Sequence, residues 1–593
     1  MFMKKPSIII KTMKRKCTVN LLVAALLAGA GAAPGQVTFT QITNGPIVTD
    51  PGHWAGCAWG DFHNTGFLDL VVCNYRPGTN AYYQNNGDGT FTRVLTGAPV
   101  ADSDYHVYFA AGDYDNDGHL DLVETTGAFV PRVGQVTLYH NNGDGTFTTT
   151  DSGGLGGIAG HFGALVWGDF DNDGFLDVFA GDHGAADDNG TNNLLFHNNG
   201  AGTFTRITSG AEVSDISIAF AIAWQDYDGD GRPDLFVINN NEQSTFVNFL
   251  YHNEGGGVFS RVTNNIIATD SWREGAACAA WGDYDNDGLP DLFVTDEAGV
   301  RNQLYHNNGD GQFTRVATGP GQPELPGSGN DLETGNGCAW GDYDNDGYLD
   351  LFVSGWGQKN ELFHNNGDGT FTKITSGSIV QGSGPVSVCG AVSWVDYDND
   401  GFLDLFVGQD TSNYNTQAPG TNLLYHNNGN TNGWLEVKLV GTVANRSAIG
   451  AKVRAHATIG GKSFWQLREI NGGCGYNSLP LVAHFGLGNA TNVDTLRIEW
   501  PSGTVQECSN VAPRQILTIT EPPLLLASLT NGSPQFSIRG GRGFRYEVDS
   551  SPDLLAWASN SLVAITNLNG MAQIVDPNPP SASRFYRLKQ IVP

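Results

Sequence analysis

Cations, methionine and long apolar runs are all scarce in this chain. Only 31 of its 593 residues are Lys or Arg, against 61 Asp or Glu. A net charge of −30 repels nucleic acid and anionic membrane surfaces, which sets both aside as partners. Apart from a short run near the N-terminus, no apolar stretch nears the roughly 20 residues a spanning helix needs. No long segment carries the apolar period of an amphipathic helix. No two cysteines have CxxC spacing, so zinc is not expected. Gly-x-Ser-x-Gly and His-Glu-x-x-His are absent as well. Gly461-Lys462-Ser463 imitates the end of a phosphate loop, but His456 stands where its first glycine belongs.

Aspartate and glycine are plentiful, and they fall in a pattern. In Gly282-Asp283-Tyr284-Asp285-Asn286-Asp287-Gly288-Leu289-Pro290-Asp291, four acids occupy positions 1, 3, 5 and 9 of a loop that Gly288 can reverse. Four carboxylates this close repel unless a cation lies among them. An oxygen-only set of flexible geometry suits Ca²⁺ before Mg²⁺. No Glu follows at position 12, where Val294 lies in an apolar run, so strands and not helices should flank the loop. The pattern recurs as Asp113, Asp115, Asp117 and Asp121; Asp169, Asp171, Asp173 and Asp177; and Asp226, Asp228, Asp230 and Asp234. After the Asp283 copy come Asp342, Asp344, Asp346 and Asp350, then Asp396, Asp398, Asp400 and Asp404. These six loops, with 24 acids, are the expected Ca²⁺ sites. A worn first copy keeps only Asp61 and Asp69 and is not counted with them.

Successive first acids are 52, 56, 57, 57, 59 and 54 residues apart, which makes seven copies of one module. Each copy holds four strand-like segments, the last two joined by an Asn-Gly-rich turn. Asp88, Asp144, Asp310 and Asp368 read as formers of that turn. The seventh copy lacks its fourth segment, and Thr38-Phe39-Thr40-Gln41-Ile42-Thr43 before the first loop matches it. The expected fold is therefore all-β: a seven-bladed propeller over residues 37–430, closed by that orphan strand. His140, His197, His252, His306, His364 and His426, with Gln84 in the first copy, recur at one blade position. Equivalent residues of different blades lie far apart, so packing or a hairpin hydrogen bond is their expected role.

Lys4, Lys5, Lys11, Lys14, Arg15 and Lys16, followed by the apolar run from Leu21 to Ala33, read as a signal peptide over residues 1–33. Export to the extracellular space, the cell surface or a periplasm follows. Seven cysteines would remain; Cys57, Cys278, Cys338 and Cys389 sit on apolar strands before acid loops. Cys474 and Cys508 share a later domain, and their pairing is open. From Trp434 the loops stop and period-two alternation marks a second β-rich domain, 433–520. Glu521-Pro522-Pro523 reads as a linker, and 524–593 as a small β-sandwich-like module.

The repeated Trp-Gly-Asp-Tyr-Asp-Asn-Asp-Gly-x-x-Asp-Leu, followed by Asn-Asn-Gly-Asp-Gly-Thr-Phe, resembles the FG-GAP/VCBS repeats. Asn445-Arg446, Gly450-Ala451-Lys452-Val453, His484-Phe485-Gly486-Leu487-Gly488 and Trp500-Pro501-Ser502-Gly503 resemble an ASPIC/UnbV domain. These strings read as turn and packing residues. Together the two domains are similar to the cartilage acidic protein family. That resemblance implies an extracellular calcium-binding protein of adhesion or matrix, without established catalysis, whose loop acids hold Ca²⁺.

The expected function is a secreted calcium-stabilised module that binds an extracellular protein or glycan. The varied connections before each loop, such as Thr318 to Gly337 and Val380 to Val388, are the expected recognition elements. The rival is a polysaccharide lyase or hydrolase on the same scaffold. Its candidate acids outside the loops are Asp331, Glu333 and Glu274.

Overall fold

The computed structural model describes residues 9–10 and 37–591, less 102, 128–132, 151–153, 157, 184–190, 201, 240–246, 271–275, 297–301, 317–334, 356–358, 382–390, 410–418, 474–476, 531–532, 542–544, 552–557, 565–570 and 576–584. Seven sheets of four antiparallel strands follow one another along the chain. The second blade, for example, runs His106–Gly112, Asp121–Thr126, Val136–Asn141 and Phe147–Thr150. The seventh takes Val392–Val395, Asp404–Val407 and Leu423–Asn427 from its own repeat and Phe39–Gln41 from the start of the chain. Phe39 pairs with Asn427 and Gln41 with Tyr425, so the last blade is stitched shut by both ends of the ring.

Each repeat begins with a strand of small residues because the inner strands crowd one another. Ala276, Ala277 and Cys278 are each 0% exposed. The Trp-Gly-Asp-Tyr string joins neighbouring blades. Tyr114, Tyr284 and Tyr343 each stack on the tryptophan of the next blade (Trp167, Trp340, Trp394) with centroids 6.1–6.4 Å apart. The indole N–H of each of those tryptophans donates back to a carbonyl of the preceding inner strand, as Trp167 does to Ala110 at 3.1 Å. The aromatic thus contributes apolar burial while its polar edge is satisfied.

Strand direction alternates within a blade, so all first-to-second and third-to-fourth turns emerge on one face. The acid loops are the first-to-second turns. The second-to-third and blade-to-blade connections leave from the other ends of the strands; of the expected recognition elements, 318–334 and 382–388 are not among the described residues. Glu274, Asp331 and Glu333 lie outside the described residues as well.

The second domain is two sheets around Leu435, Val437, Val453, Leu496, Ile498 and Phe485. One places Gly433–Val440 between Val482–Gly488 and Gln515–Thr520. The other orders Lys462–Glu469, Lys452–Ile459, Val493–Glu499 and Val505–Val511. Cys508 is disulfide-bonded, and Cys474 lies outside the described residues, as do Cys17 and Cys389. Cys57, Cys73, Cys278 and Cys338 are buried in the blades. The last module is a three-stranded and a four-stranded sheet on a core of Phe536, Ile538, Tyr546, Val548, Tyr586 and Leu588, the fourth strand of the latter being Ile9–Ile10, which pairs in parallel with Phe585–Ile591. Among the described residues no helix is long and apolar enough to cross a membrane.

Candidate metal centres

The second loop shows how the acids build their own site. Asp113 Oδ1 accepts the N–H of Asp117 at 3.0 Å and Oδ2 that of Gly118 at 2.8 Å. Asp117 Oδ1 accepts from His119 at 2.9 Å, and Asp121 accepts from Tyr114 at 3.2 Å and from Asn141 at 2.8 Å. The carboxylates therefore fold the backbone around themselves and close on one centre. The turn requires left-handed residues: Asn116 has φ 58° and Gly118 φ 100°. Asn172, Asn286, Asn345 and Asn399 repeat the first of these.

The loops are also tied to one another. Asn116 donates from Nδ2 to the Gly174 carbonyl of the next loop at 2.9 Å, and Asn172, Asn286, Asn345 and Asn399 donate likewise to Gly231, Gly347, Gly401 and Gly66. The fourth loop has Gly229 in place of this asparagine, and Arg454 of the second domain takes the Gly288 carbonyl instead, at 3.1 Å. A second clamp comes from the asparagine that ends each third strand. Asn427 donates its backbone N–H to Asp404 at 2.8 Å and its side-chain N–H groups to Tyr343 O of the preceding blade at 2.8 Å and Leu403 O at 3.0 Å. Asn85 does the same toward Tyr397, which completes the ring. Sequence reasoning saw these asparagines only as part of the hairpin turn. Their recurrence in all seven copies was the available signal.

The recurrent histidines face the acids of their own loops. His252 Nδ1 is 3.1 Å from Asp234 Oδ1 and 3.3 Å from Asp228 Oδ2. His140, His197, His306, His364 and His426 sit the same way against the third and ninth acids of their loops. Their expected packing role is thus extended: each contributes a ring nitrogen to a charged site. Groups such as Asp115, Asp117 and His140 bring ligand atoms within 4.8 Å of one another, so each can hold a metal ion.

Electrostatics favour a cation there. Burial, then repulsion from Asp121, pushes Asp113 well above the usual carboxylate range. Burial pushes Asp121, Asp177 and Asp291 up to about 7, against the opposing effect of their histidines. Asp234 Oδ2 and Asp283 Oδ1 are buried oxygens with no hydrogen-bond donor. Buried carboxylates crowded together in this way are stable as anions only with a cation among them. The donor set fits a hard divalent ion.

The first loop differs. Asp61 still accepts the N–H groups of Thr65 and Gly66, at 2.7 and 2.8 Å, but the third position is His63. Its Nδ1 lies 2.8 Å from Asp69 Oδ2. Hydrogen bonding to Asp69 raises the imidazole above its ordinary value.

The second domain is seated over the whole ring of loops. At loop two, the Asp113 N–H donates to Ser447 Oγ at 2.8 Å and the Arg446 N–H to Asn116 Oδ1 at 2.7 Å. Asn445 reaches Asp169 of loop three at 3.4 Å, and Lys452 Nζ lies 2.6 Å from Asp226 of loop four. At loop six the Gly488 N–H donates to Asn345 O at 2.7 Å, at loop seven His484 Nε2 is 3.2 Å from Gly401 O, and at loop one Lys438 reaches Gly66 O at 3.2 Å. Arg468, lowered by burial, stands among Asp342, Asp283 and Asp350. Asn477 and Ser478 pair with Cys57 and Ala58 on the open edge of the first inner strand, and Ser478 Oγ accepts from Ala111 at 3.2 Å. Asn445, Arg446, Lys452 and His484, expected to be turn and packing residues, are therefore docking residues. Glu521 is no free linker residue either. It is 0% exposed, and its Oε2 accepts the N–H groups of Thr442, Val443 and Ala444 at 2.7–2.9 Å, which fixes the docking loop.

A cavity of about 150 Å³ remains between the two domains, lined by Trp281, Trp340, Trp394, Asp342, Arg468 and Glu469 among others.

Comparison with known proteins agrees with this architecture. Residues 441–524 match the ASPIC and UnbV family, so the chain carries that domain. Human cartilage acidic protein 1 is 29% identical over 300 residues, which is 49% of this chain and 41% of that protein. The mouse protein of the same name is 28% identical over 299 residues, 49% of this chain and 42% of its own length. The chain thus aligns with less than half of these relatives. A solved Agrocybe aegerita lectin, described as recognising non-reducing terminal N-acetylglucosamine, matches at 20% identity with a TM-score of 0.36 over 55% of this chain and 79% of its own. The blade count here rests on strand pairing and owes nothing to that likeness. Residues 61–124, 128–180, 184–237, 226–294, 283–353 and 342–407 match the FG-GAP-like repeat, more than half of the chain, and the protein belongs to that family.

Proposed function

We propose that this chain is an exported, calcium-binding propeller that binds an extracellular protein or glycan and carries no catalytic chemistry. One observation carries the reading: the second domain sits on the loops of all seven blades, so the acid sites build the scaffold. The acids at positions 1 and 9 of each complete loop are buried beneath it while those at positions 3 and 5 keep an exposed edge, and recognition falls to the opposite face. Each complete loop sets four carboxylates beside one imidazole, and calcium is the ion that an irregular set so dominated by carboxylate oxygens takes most readily. Its role is structural: it joins the first two strands of each blade and firms the surface on which the second domain rests. Export rests on the basic and apolar pattern of residues 1–33.

Calorimetry on residues 37–593 tests the calcium half, with uptake of about six ions expected from the loop count. Uptake of none overturns it. Immobilised glycans and matrix proteins, presented to the calcium-loaded chain, test the binding half. Turnover of a polysaccharide substrate would instead establish the enzyme reading.

A further inference from the structure

At the fourth loop two side-chain cations already stand against the acids. Lys452, on the strand Lys452–Ile459 of the second domain, donates from Nζ to Asp226 Oδ2 at 2.6 Å. Arg232, within the loop, pairs with Asp230 and donates from Nε to the Asn253 carbonyl at 2.6 Å. Elsewhere on the ring the second domain's Lys438 and Arg454 reach carbonyls, those of Gly66 and Gly288. The two cations do not exhaust the fourth loop. Asp226 and Asp234 are 5% and 1% exposed, and Asp226 Oδ1 and Asp234 Oδ2 have no hydrogen-bond donor among the described residues. Nor is Asp226 the one acid within reach of Lys452. Glu469 and Glu499 stand at its cross-strand positions on the two neighbouring strands. Glu469 is held there by Gln225, whose Nε2 donates to it at 2.6 Å. A cavity of about 110 Å³ borders Asp226, Lys452 and Glu469, which leaves the ammonium room to turn from one carboxylate to the other. An ammonium and a metal ion compete for one carboxylate, because each draws on the charge that the other neutralises.

We propose that loop four is the weak calcium site of the ring, where an incoming ion displaces Lys452 from Asp226 and loosens the second domain at that point. The displaced ammonium turns to Glu469. The inference rests on the calcium reading above and deepens it at one loop. The coupling is reciprocal: the factor by which Lys452 weakens the ion is the factor by which the ion weakens this docking contact. Calcium then firms the seat of the second domain at the other loops and opposes it at the fourth.

The test is Lys452→Met in residues 37–593, with calcium calorimetry and melting in calcium and in chelator. Met keeps the length of the side chain and removes the charge. The unmodified protein should show one site weaker than the rest, and in the variant that site should tighten about tenfold with the ion count unchanged. In chelator the variant should melt below the unmodified protein, because Asp226 has lost its cation, and in calcium it should recover that loss. An unchanged isotherm, the loss of a site, or an equal fall in melting in both buffers overturns the competition while leaving calcium binding intact. No uptake by the unmodified protein overturns the calcium reading itself, and this inference with it. Should Lys452→Met fail to fold, Arg232→Gln decides the matter. It removes the other cation from a half-exposed position within the loop, so the same weak site should tighten, and an unchanged isotherm there refutes the proposal.

Discussion

In the first blade Asp69 is as buried as Asp121 or Asp291, 0% exposed in each case, yet its loop brings its own cation. His63 replaces the third carboxylate and bonds Asp69 directly. The loop around it keeps its shape: Asn64 has φ 54°, and Thr65 and Gly66 still donate to Asp61. The other loops place a histidine opposite the acids at positions 3 and 9 but keep all four carboxylates; burial raises Asp121 and Asp291, and Asp69 as well, against the opposing imidazole, so the loops differ in the number of acids. Loop geometry alone therefore does not demand an ion. The count of carboxylates that share one buried volume does.

The largest effect that follows is on chelation. Each filled site adds about 2.7 kcal/mol at a hundredfold excess of ion over Kd, so six sites acting together should shift melting by tens of degrees between calcium and chelator. Scanning calorimetry in both buffers checks this, and coincident melts would break the contrast between the loops. A converse experiment sharpens it. His63→Asp with Thr65→Asp gives the first loop the acid pattern of the others without moving its backbone. One additional ion should bind, stabilising the protein by about 2.7 kcal/mol at the same excess, and the double variant should melt below the unmodified protein in chelator. An unchanged ion count would mean that more than the acid set distinguishes the first blade.

Much of this was legible from the chain. The period of the acids gave the blades, and Thr38-Phe39-Thr40 was an orphan strand whose place was the seventh blade. Both signals are local or repeated, so they survive in a linear reading. The docking of the second domain was not legible. Asn445, Lys452 and His484 occur once each, and nothing in their neighbours says that they meet loops hundreds of residues earlier. The clamp asparagines were hidden for another reason. A hairpin turn already accounts for Asn427, so its bonds to two further carbonyls left no separate trace. The histidines were judged by their distance from one another around the ring, when the relevant distance is to the acids of the same blade.

That clamp offers a test of which contacts are shared by all seven blades. Asn427→Ala and Asn85→Ala each leave two carbonyls without their donor, one of them in the neighbouring blade. Unpaired buried groups cost about 1–3 kcal/mol each, so both variants should destabilise by a similar amount whether or not calcium is present. A calcium-dependent loss at Asn427 alone would assign that residue to the ion site and not to the scaffold.

The smallest expected effect belongs to the His63–Asp69 pair. The folded state raises the His63 pKa, so it binds this proton more tightly than the unfolded chain does. The stabilisation is complete below the ordinary histidine value of about 6.5 and is lost as pH rises through the folded value. The pair is partly exposed, which limits its worth to about 1 kcal/mol. Comparing melting of the unmodified protein with His63→Gln from pH 6 to pH 9 in saturating calcium isolates the pair, because the six ion-filled loops are common to both chains. The advantage of the histidine should shrink toward the alkaline end. An advantage that stays constant across the range would show that His63 acts through shape and hydrogen bonding in its neutral form, and that the first loop holds its buried acid without the imidazolium.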